Sequence, residues 1–299
     1  MATRNRTRSA AWKRLTRGMT EPMSVWLILL IIAAAVCLLY LFLIASRFRR
    51  RDMSAMTGHW YAHRGLWNAE RPENSLPAFR AAVESGYGIE TDVHLTRDDR
   101  LVVFHDDSLK RMCGVDRNIA DCTLEELRAC RLNGTDCPIP TLDEFLETVS
   151  GRVPLLIEIK SDRRVALLCE KLNERLNAYS GPYMIESFDP RAVRWYRRNR
   201  PDILRGQLTF GLVSPSQLPK TALYRLLASQ VMNVLGRPDF IAAEAVTAHS
   251  LPLRLMRLFP THWVAWTVRS QEQMNGLRGR YETQIFEGFI PGERHPINK

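Results

Sequence analysis

Two short stretches place charged side chains at every second position. In "IETDV", Glu90 and Asp92 are two residues apart, and in "LIEIK" so are Glu158 and Lys160. On a β-strand, positions i and i+2 share a face. With Ile89, Thr91, Val93, Ile157 and Ile159 turned the other way, all four charged groups point to one side. Three carboxylates converging there repel one another unless a cation sits between them. An all-oxygen ligand set suits a hard divalent ion, Ca²⁺ or Mg²⁺; the alternative is a solvated charge network. His63 and His105 lie close by in sequence, and imidazoles titrate near neutral pH, as an acid–base pair requires. Arg64 and Lys160 can donate to phosphoryl oxygens, Arg64 as a planar fork and Lys160 as a point charge. Gly65, after His63 and Arg64, permits a sharp turn at the end of an apolar run.

These groups meet only if the elements that carry them close around one axis. Eight short apolar runs recur, at 61–62, 89–93, 155–159, 184–188, 204–208, 240–243, 263–268 and 285–290. Most are followed by a stretch with helical periodicity. Ser75 before Leu76-Pro77 reads as a helix start, and Thr123 with Glu126 and Thr141 with Glu144 read as capping boxes. Strand-then-helix order repeated eight times predicts an α/β chain folded as a closed (β/α)8 TIM barrel, with an open doubly wound sheet as the other topology. "LVVFHDD" follows "IETDVHLT" after only four residues, too few for a parallel crossover. It is expected to return as an antiparallel hairpin arm that brings His105 back towards the second strand.

The chain has a formal charge of +10. Residues 1–51 hold ten basic side chains against Glu21, so nine of those charges sit in the first 51 positions. The remainder is nearly neutral, which argues against a nucleic-acid surface. "VWLILLIIAAAVCLLYLFLIA", Val25 to Ala45, is an uncharged run of the length a transmembrane helix needs. It is longer than the apolar core of a cleavable signal, and its small residues lie in mid-run. The expected organisation is a basic arm at 1–23, a single retained membrane helix at 24–46, a linker at 47–58 and a catalytic domain at 59–299. Accordingly, a chain beginning near Met56 is expected to be soluble and active. Cys113, Cys122, Cys130, Cys137 and Cys169 cannot all pair within one chain and lack Cys-x2-Cys spacing, so they read as free thiols in a reducing compartment. Together with the density of arginines at 47–51, they favour a barrel facing the cytoplasm.

The run from Tyr61 to Thr96, with His63-Arg64-Gly65, Pro72-Glu73-Asn74-Ser75 and Glu90-Thr91-Asp92-Val93, resembles the glycerophosphodiester phosphodiesterases. The likeness continues through "VVFHDDSLKR", "IPTLDEF", "LLIEIK", "ESFDP" and "AWTV", and covers Tyr61 to Pro291. It implies a phosphatidylinositol-phospholipase-like barrel that hydrolyses glycerophosphodiesters to glycerol 3-phosphate and an alcohol. It also implies His63 and His105 as the acid–base pair, Glu90, Asp92 and Glu158 as metal ligands, and Arg64 and Lys160 as phosphate-binding cations. Residues 108–154 correspond to a short form of the family's insertion. The last strand departs from the pattern, reading "FEGFIP" where many members have Thr-Asp, so Glu287 receives no role. Phe188 and Trp266 either line the alcohol side of the pocket or pack in the core. Lysophospholipids held near the anchor are the alternative substrates, with phosphatidylinositol-phospholipase-C-like cleavage a third reading. A non-catalytic phosphodiester sensor is disfavoured because both histidines and all three carboxylates are present.

Overall fold

Apolar alternation pairs the expected runs into a ring. In a computed structural model describing residues 24–210, 221–247 and 250–292, β1 (Tyr61–His63), β2 (Gly88–Leu95) and β3 (Leu101–Val103) come first. After them come β4 (Leu155–Ile159), β5 (Tyr183–Ser187) and β6 (Arg205–Thr209), then β7 (Phe240–Glu244), β8 (His262–Val268) and β9 (Thr283–Phe286). All except β3 run parallel, and β1 pairs with both β2 and β9, which closes the barrel. β3 returns antiparallel on β2, pairing Val103 with Val93 and Leu101 with Leu95, as the short connection demands. The last strand ends at Phe286, earlier than the apolar run predicts, so Glu287 to Ile290 lie beyond its end.

Helix starts follow their local chemistry. Ser75 accepts from the Ala78 N–H ahead of the helix Leu76–Glu84. Thr123 with Glu126 and Thr141 with Glu144 form complete capping boxes. The helix Leu142–Val149 packs back on the barrel, Phe145 meeting Phe79 edge-on at 4.5 Å between ring centroids. Residues between β3 and this helix build a small core of their own around Phe104, Leu109, Ile119, Leu127 and Leu132.

The barrel interior has two layers. Its lower layer is apolar: Tyr61, Leu156, Met184, Phe240 and Val264 pack together. Gly206 makes this possible, because a Cβ there would lie 2.1 Å from the Phe240 ring. The upper layer, at the C-terminal ends of the strands, is charged.

By its internal contacts the chain divides into two units, Met1–Phe42 and Leu43–Lys299. In the first, the basic arm at 1–23 lies outside the described residues. The helix Val25–Ile44, 20 residues, is the one helix among the described residues long and apolar enough to cross a bilayer.

The second unit corrects the expectation of a linker at 47–58. Ile44, Ala45 and Ser46 are fully buried, and Met53 and Met56 plug the lower layer of the barrel. Arg237 donates to the Ala45 carbonyl at 2.8 Å and Asn233 to that of Ile44 at 3.2 Å. Arg51 donates to the Asp202 carbonyl at 2.6 Å, while His262 Nε2 donates to the Arg51 carbonyl at 2.7 Å. Polar residues at a barrel base read as linker in sequence because their partners lie some 150–210 positions away. A chain beginning at Met56 is therefore expected to be less stable than one beginning at Leu43. Losing buried Ile44 and Met53 alone removes ~3–6 kcal/mol, or roughly 10 °C in Tm at ~2–4 °C per kcal/mol. Calorimetry of the two chains measures the difference, and equal Tm values would show that this segment is not part of the fold.

Candidate active site

The His63-Arg64-Gly65 turn ends β1 in a backbone that few residues adopt. Arg64 has φ 58° and Gly65 φ 82°, and a Cβ on Gly65 would lie 2.9 Å from the Ala78 backbone. Asn74 is likewise left-handed, at φ 53°. Strain at three positions within one loop is held in place by the contacts it creates. The Asn74 N–H donates to the Arg64 carbonyl at 2.9 Å. Its carboxamide donates to Asp92 Oδ2 at 2.8 Å and accepts from Thr91 at 2.9 Å. The Pro-Glu-Asn motif thus orients a carboxylate on the neighbouring strand.

Register does the rest. Asp92 on β2 pairs directly with Glu158 on β4, and Glu90 lies two residues earlier on the same face. One oxygen from each of Glu90, Asp92 and Glu158 falls within 4.8 Å of the others, and all three residues are buried. Lys160 Nζ lies 2.7 Å from Asp92 and 2.8 Å from Glu158. Burial, then Asp92, Glu158 and Glu186, hold the Glu90 carboxyl well above its usual range. Burial also lifts Glu158, against the pull of Lys160. For Asp92 the burial penalty is outweighed by Lys160, His105 and Arg64, and it stays well below the ordinary carboxylate range. Three buried carboxyl groups this close repel one another, and a bound cation would relieve that repulsion. The donor set therefore fits a hard divalent ion.

Both histidines flank this cluster with one ring nitrogen already engaged. His63 Nδ1 meets Glu287, and its Nε2 lies 3.9 Å from Glu90. Burial, then Arg64, keep His63 below the usual imidazole value despite Glu287, which itself falls to about 2 against its burial. His105 Nδ1 lies 2.6 Å from Asp106. Asp106 is held by Arg111 at 2.6 Å, and Arg111 lies 2.6 Å from Glu73, which also takes Arg64 at 2.9 Å. One chain of ion pairs therefore runs from the first loop to the hairpin. His94, on β2, donates from Nε2 to the His105 carbonyl at 3.2 Å and ties the hairpin down. Burial and Lys160 lower its pKa to about 4, so it is a neutral structural donor at physiological pH.

The structure thus brings together His63, Arg64, Glu90, Asp92, His105, Glu158 and Lys160. The family model for the glycerophosphoryl diester phosphodiesterases matches residues 63–285, from the His63 turn to the last strand. The chain belongs to the glycerophosphoryl diester phosphodiesterase family. A glycerophosphodiester phosphodiesterase of Caldanaerobacter subterraneus subsp. tengcongensis is 35% identical over 232 residues, covering 72% of this chain and 88% of the relative. Human lysophospholipase D GDPD1 is 34% identical over 149 residues, but those cover only 46% of either chain. In fold, the chain is similar to an Oleispira antarctica phosphodiesterase solved with the product sn-glycerol-3-phosphate. The TM-score is 0.63 at 21% identity, over 76% of this chain and 92% of that one.

Four further members of the site stand within the quoted motifs but received no role there. Glu287 backs His63 from beyond the last strand. Arg111 connects two loops. Asn74 fixes Asp92. Glu186, paired in register with Glu158, is a fourth buried carboxylate whose Oε2 makes no hydrogen bond. Its signal was present in "MIES", where Glu186 shares the inward face of Met184. On the opposite wall, Phe188 stacks on Phe210 at 4.3 Å, and Trp266 meets both edge-on at 5.7 and 5.6 Å.

Proposed function

We propose that this chain is a membrane-anchored hydrolase that cleaves glycerophosphodiesters to glycerol 3-phosphate and an alcohol. One observation carries the reading. Two imidazoles, each backed by a carboxylate on Nδ1, flank three carboxylates whose oxygens converge within 4.8 Å. A pair of histidines fixed in this way has Nε2 available for proton transfer on either side of a phosphorus centre. Glu90, Asp92 and Glu158 would hold Ca²⁺ or Mg²⁺, which supplies positive charge for the phosphoryl oxygens. Arg64 and Lys160 bind the same oxygens, exchanging part of their contact with Asp92 for the substrate.

The glycerol 2-hydroxyl lies next to the phosphodiester, so its attack needs no captured water. One histidine removes the hydroxyl proton as the new O–P bond forms. The other protonates the leaving alkoxide as the old bond breaks. Water then opens the cyclic phosphate with the histidine roles reversed.

The aromatic wall of Phe188, Phe210 and Trp266 favours a second reading, in which the leaving or retained group carries an apolar chain, as in a lysophospholipid. Comparing glycerophosphocholine, glycerophosphoinositol and lysophosphatidylcholine, with and without chelator, separates the two. Glycerophosphocholine is expected to show the higher kcat/KM. A higher kcat/KM for lysophosphatidylcholine would replace the first reading with the second.

The apolar helix is read as a retained anchor and the barrel as facing the cytoplasm, supported by arginines 47–51 and by six cysteines in the thiol form. A membrane-impermeant maleimide should label the partly exposed Cys137 in lysed cells and not in intact ones. Labelling in intact cells would reverse the topology.

A further inference from the structure

The base of the barrel carries a second concentration of charge, opposite in sign to the carboxylates at the mouth. Arg47, Arg49, Arg50 and Arg51 all fall within seven residues of the apolar helix. They share a cavity of about 630 Å³ with Arg197 on the helix Pro190–Asn199, Arg205 at the start of β6, and Arg237 directly after the short helix Asn233–Gly236. Among the described residues, two carboxylates form ion pairs with members of this group. Asp239 lies 3.2 Å from Arg47, 3.5 Å from Arg205 and 3.8 Å from Arg51, and Glu282 pairs with Arg50.

Arg205 is the strongest sign that something is to be bound. It is 1% exposed and lines the cavity; the Gly236 and Arg237 carbonyls take its Nε and Nη2, while its Nη1 makes no hydrogen bond and reaches Asp239 only at 3.5 Å. Burial, then Arg47, Arg51 and Arg197, lower its pKa to about 10 even beside Asp239. Arg49 is exposed and, among the described residues, pairs with no carboxylate. Arg197 gives one nitrogen to the Val234 and Leu235 carbonyls, at 2.8 and 3.0 Å, and also meets no carboxylate among the described residues. Like charges gathered in a half-buried cavity call for a counterion of the other sign, and guanidinium forks match the oxygens of phosphate. Basic residues directly beside an apolar span are placed to meet anionic headgroups.

We propose that this cavity binds a phosphate-bearing anion, supplied by the headgroup of an anionic phospholipid beside the anchor. The inference rests on the anchor reading above, and gives the base of the barrel a role distinct from the mouth.

The test uses the full-length chain in an uncharged detergent, titrated with dihexanoyl phosphatidylglycerol, dihexanoyl phosphatidylcholine and inorganic phosphate. Phosphatidylglycerol is expected to bind at least ~10-fold more tightly than the other two. The double variant Arg49→Gln/Arg197→Gln should weaken that binding at least ~10-fold. Arg49→Gln alone, which breaks no hydrogen bond or ion pair among the described residues, should give part of the loss. Turnover of glycerophosphocholine should be unchanged in both variants, which also shows that they fold. Phosphate binding as tightly as phosphatidylglycerol would overturn the lipid as source. Absence of saturable binding by either anion, or unchanged binding in the double variant, would overturn the site. Loss of all hydrolytic activity with binding intact would count against the catalytic reading alone.

Discussion

Replacing His63 or His105 by alanine is expected to lower turnover of glycerophosphocholine at least ~10²-fold, within the ~10²–10⁴-fold range of acid–base catalysis. His63 sits between Glu287 and Glu90, and His105 is fixed by Asp106 on the hairpin. Folding should survive, because the charged layer lies at the strand ends that carry function and the apolar layer beneath it is untouched. Circular dichroism and Tm report the fold, and release of choline reports the chemistry. Wild-type turnover in either variant would remove that histidine from the mechanism.

Removal of divalent ions is expected to reduce turnover to background, with recovery on adding back Ca²⁺ or Mg²⁺. The Glu90→Gln variant should stay inactive under both conditions. Its stability should change in the opposite direction. The folded chain raises the Glu90 pKa, through burial and then the neighbouring carboxylates, so it holds that proton more tightly than the unfolded chain does. Ionised Glu90 therefore costs folding stability as pH rises above the ordinary carboxyl value, and this cost is relieved when the group is neutral. Glutamine is a neutral isostere of that form. At pH 8 without metal, Glu90→Gln should melt above the wild type. On adding metal the wild type should gain Tm by linkage while the variant gains little. Full turnover after thorough chelation would sink the cation site, and a Tm of Glu90→Gln below that of the metal-free wild type would sink the raised Glu90 pKa.

The sequence by itself determined the ring and the charged side chains that face its axis. Period-two alternation in "IETDV" and "LIEIK" decides which side chains face the axis, since a strand allows only two faces, and repeated strand-then-helix order leaves few topologies. Glu90, Asp92, Glu158 and Lys160 were legible this way, His63 and Arg64 from the turn that ends the first apolar run, and His105 from the short connection that returns the hairpin. Tertiary structure decided the contacts whose partners are distant in the chain. Glu287 reaches His63 across 224 positions only because β9 closes on β1. Arg111 meets Glu73 across 38 positions only because the hairpin folds over the first loop. Residues 44–53 read as anchor end and linker, because charged and apolar residues at that spacing carry no period. They became barrel base once Asp239, His262 and Glu282 converged on them. Local pattern fixes a side chain's face, whereas its partner is fixed by closure of the barrel, a property of the whole chain.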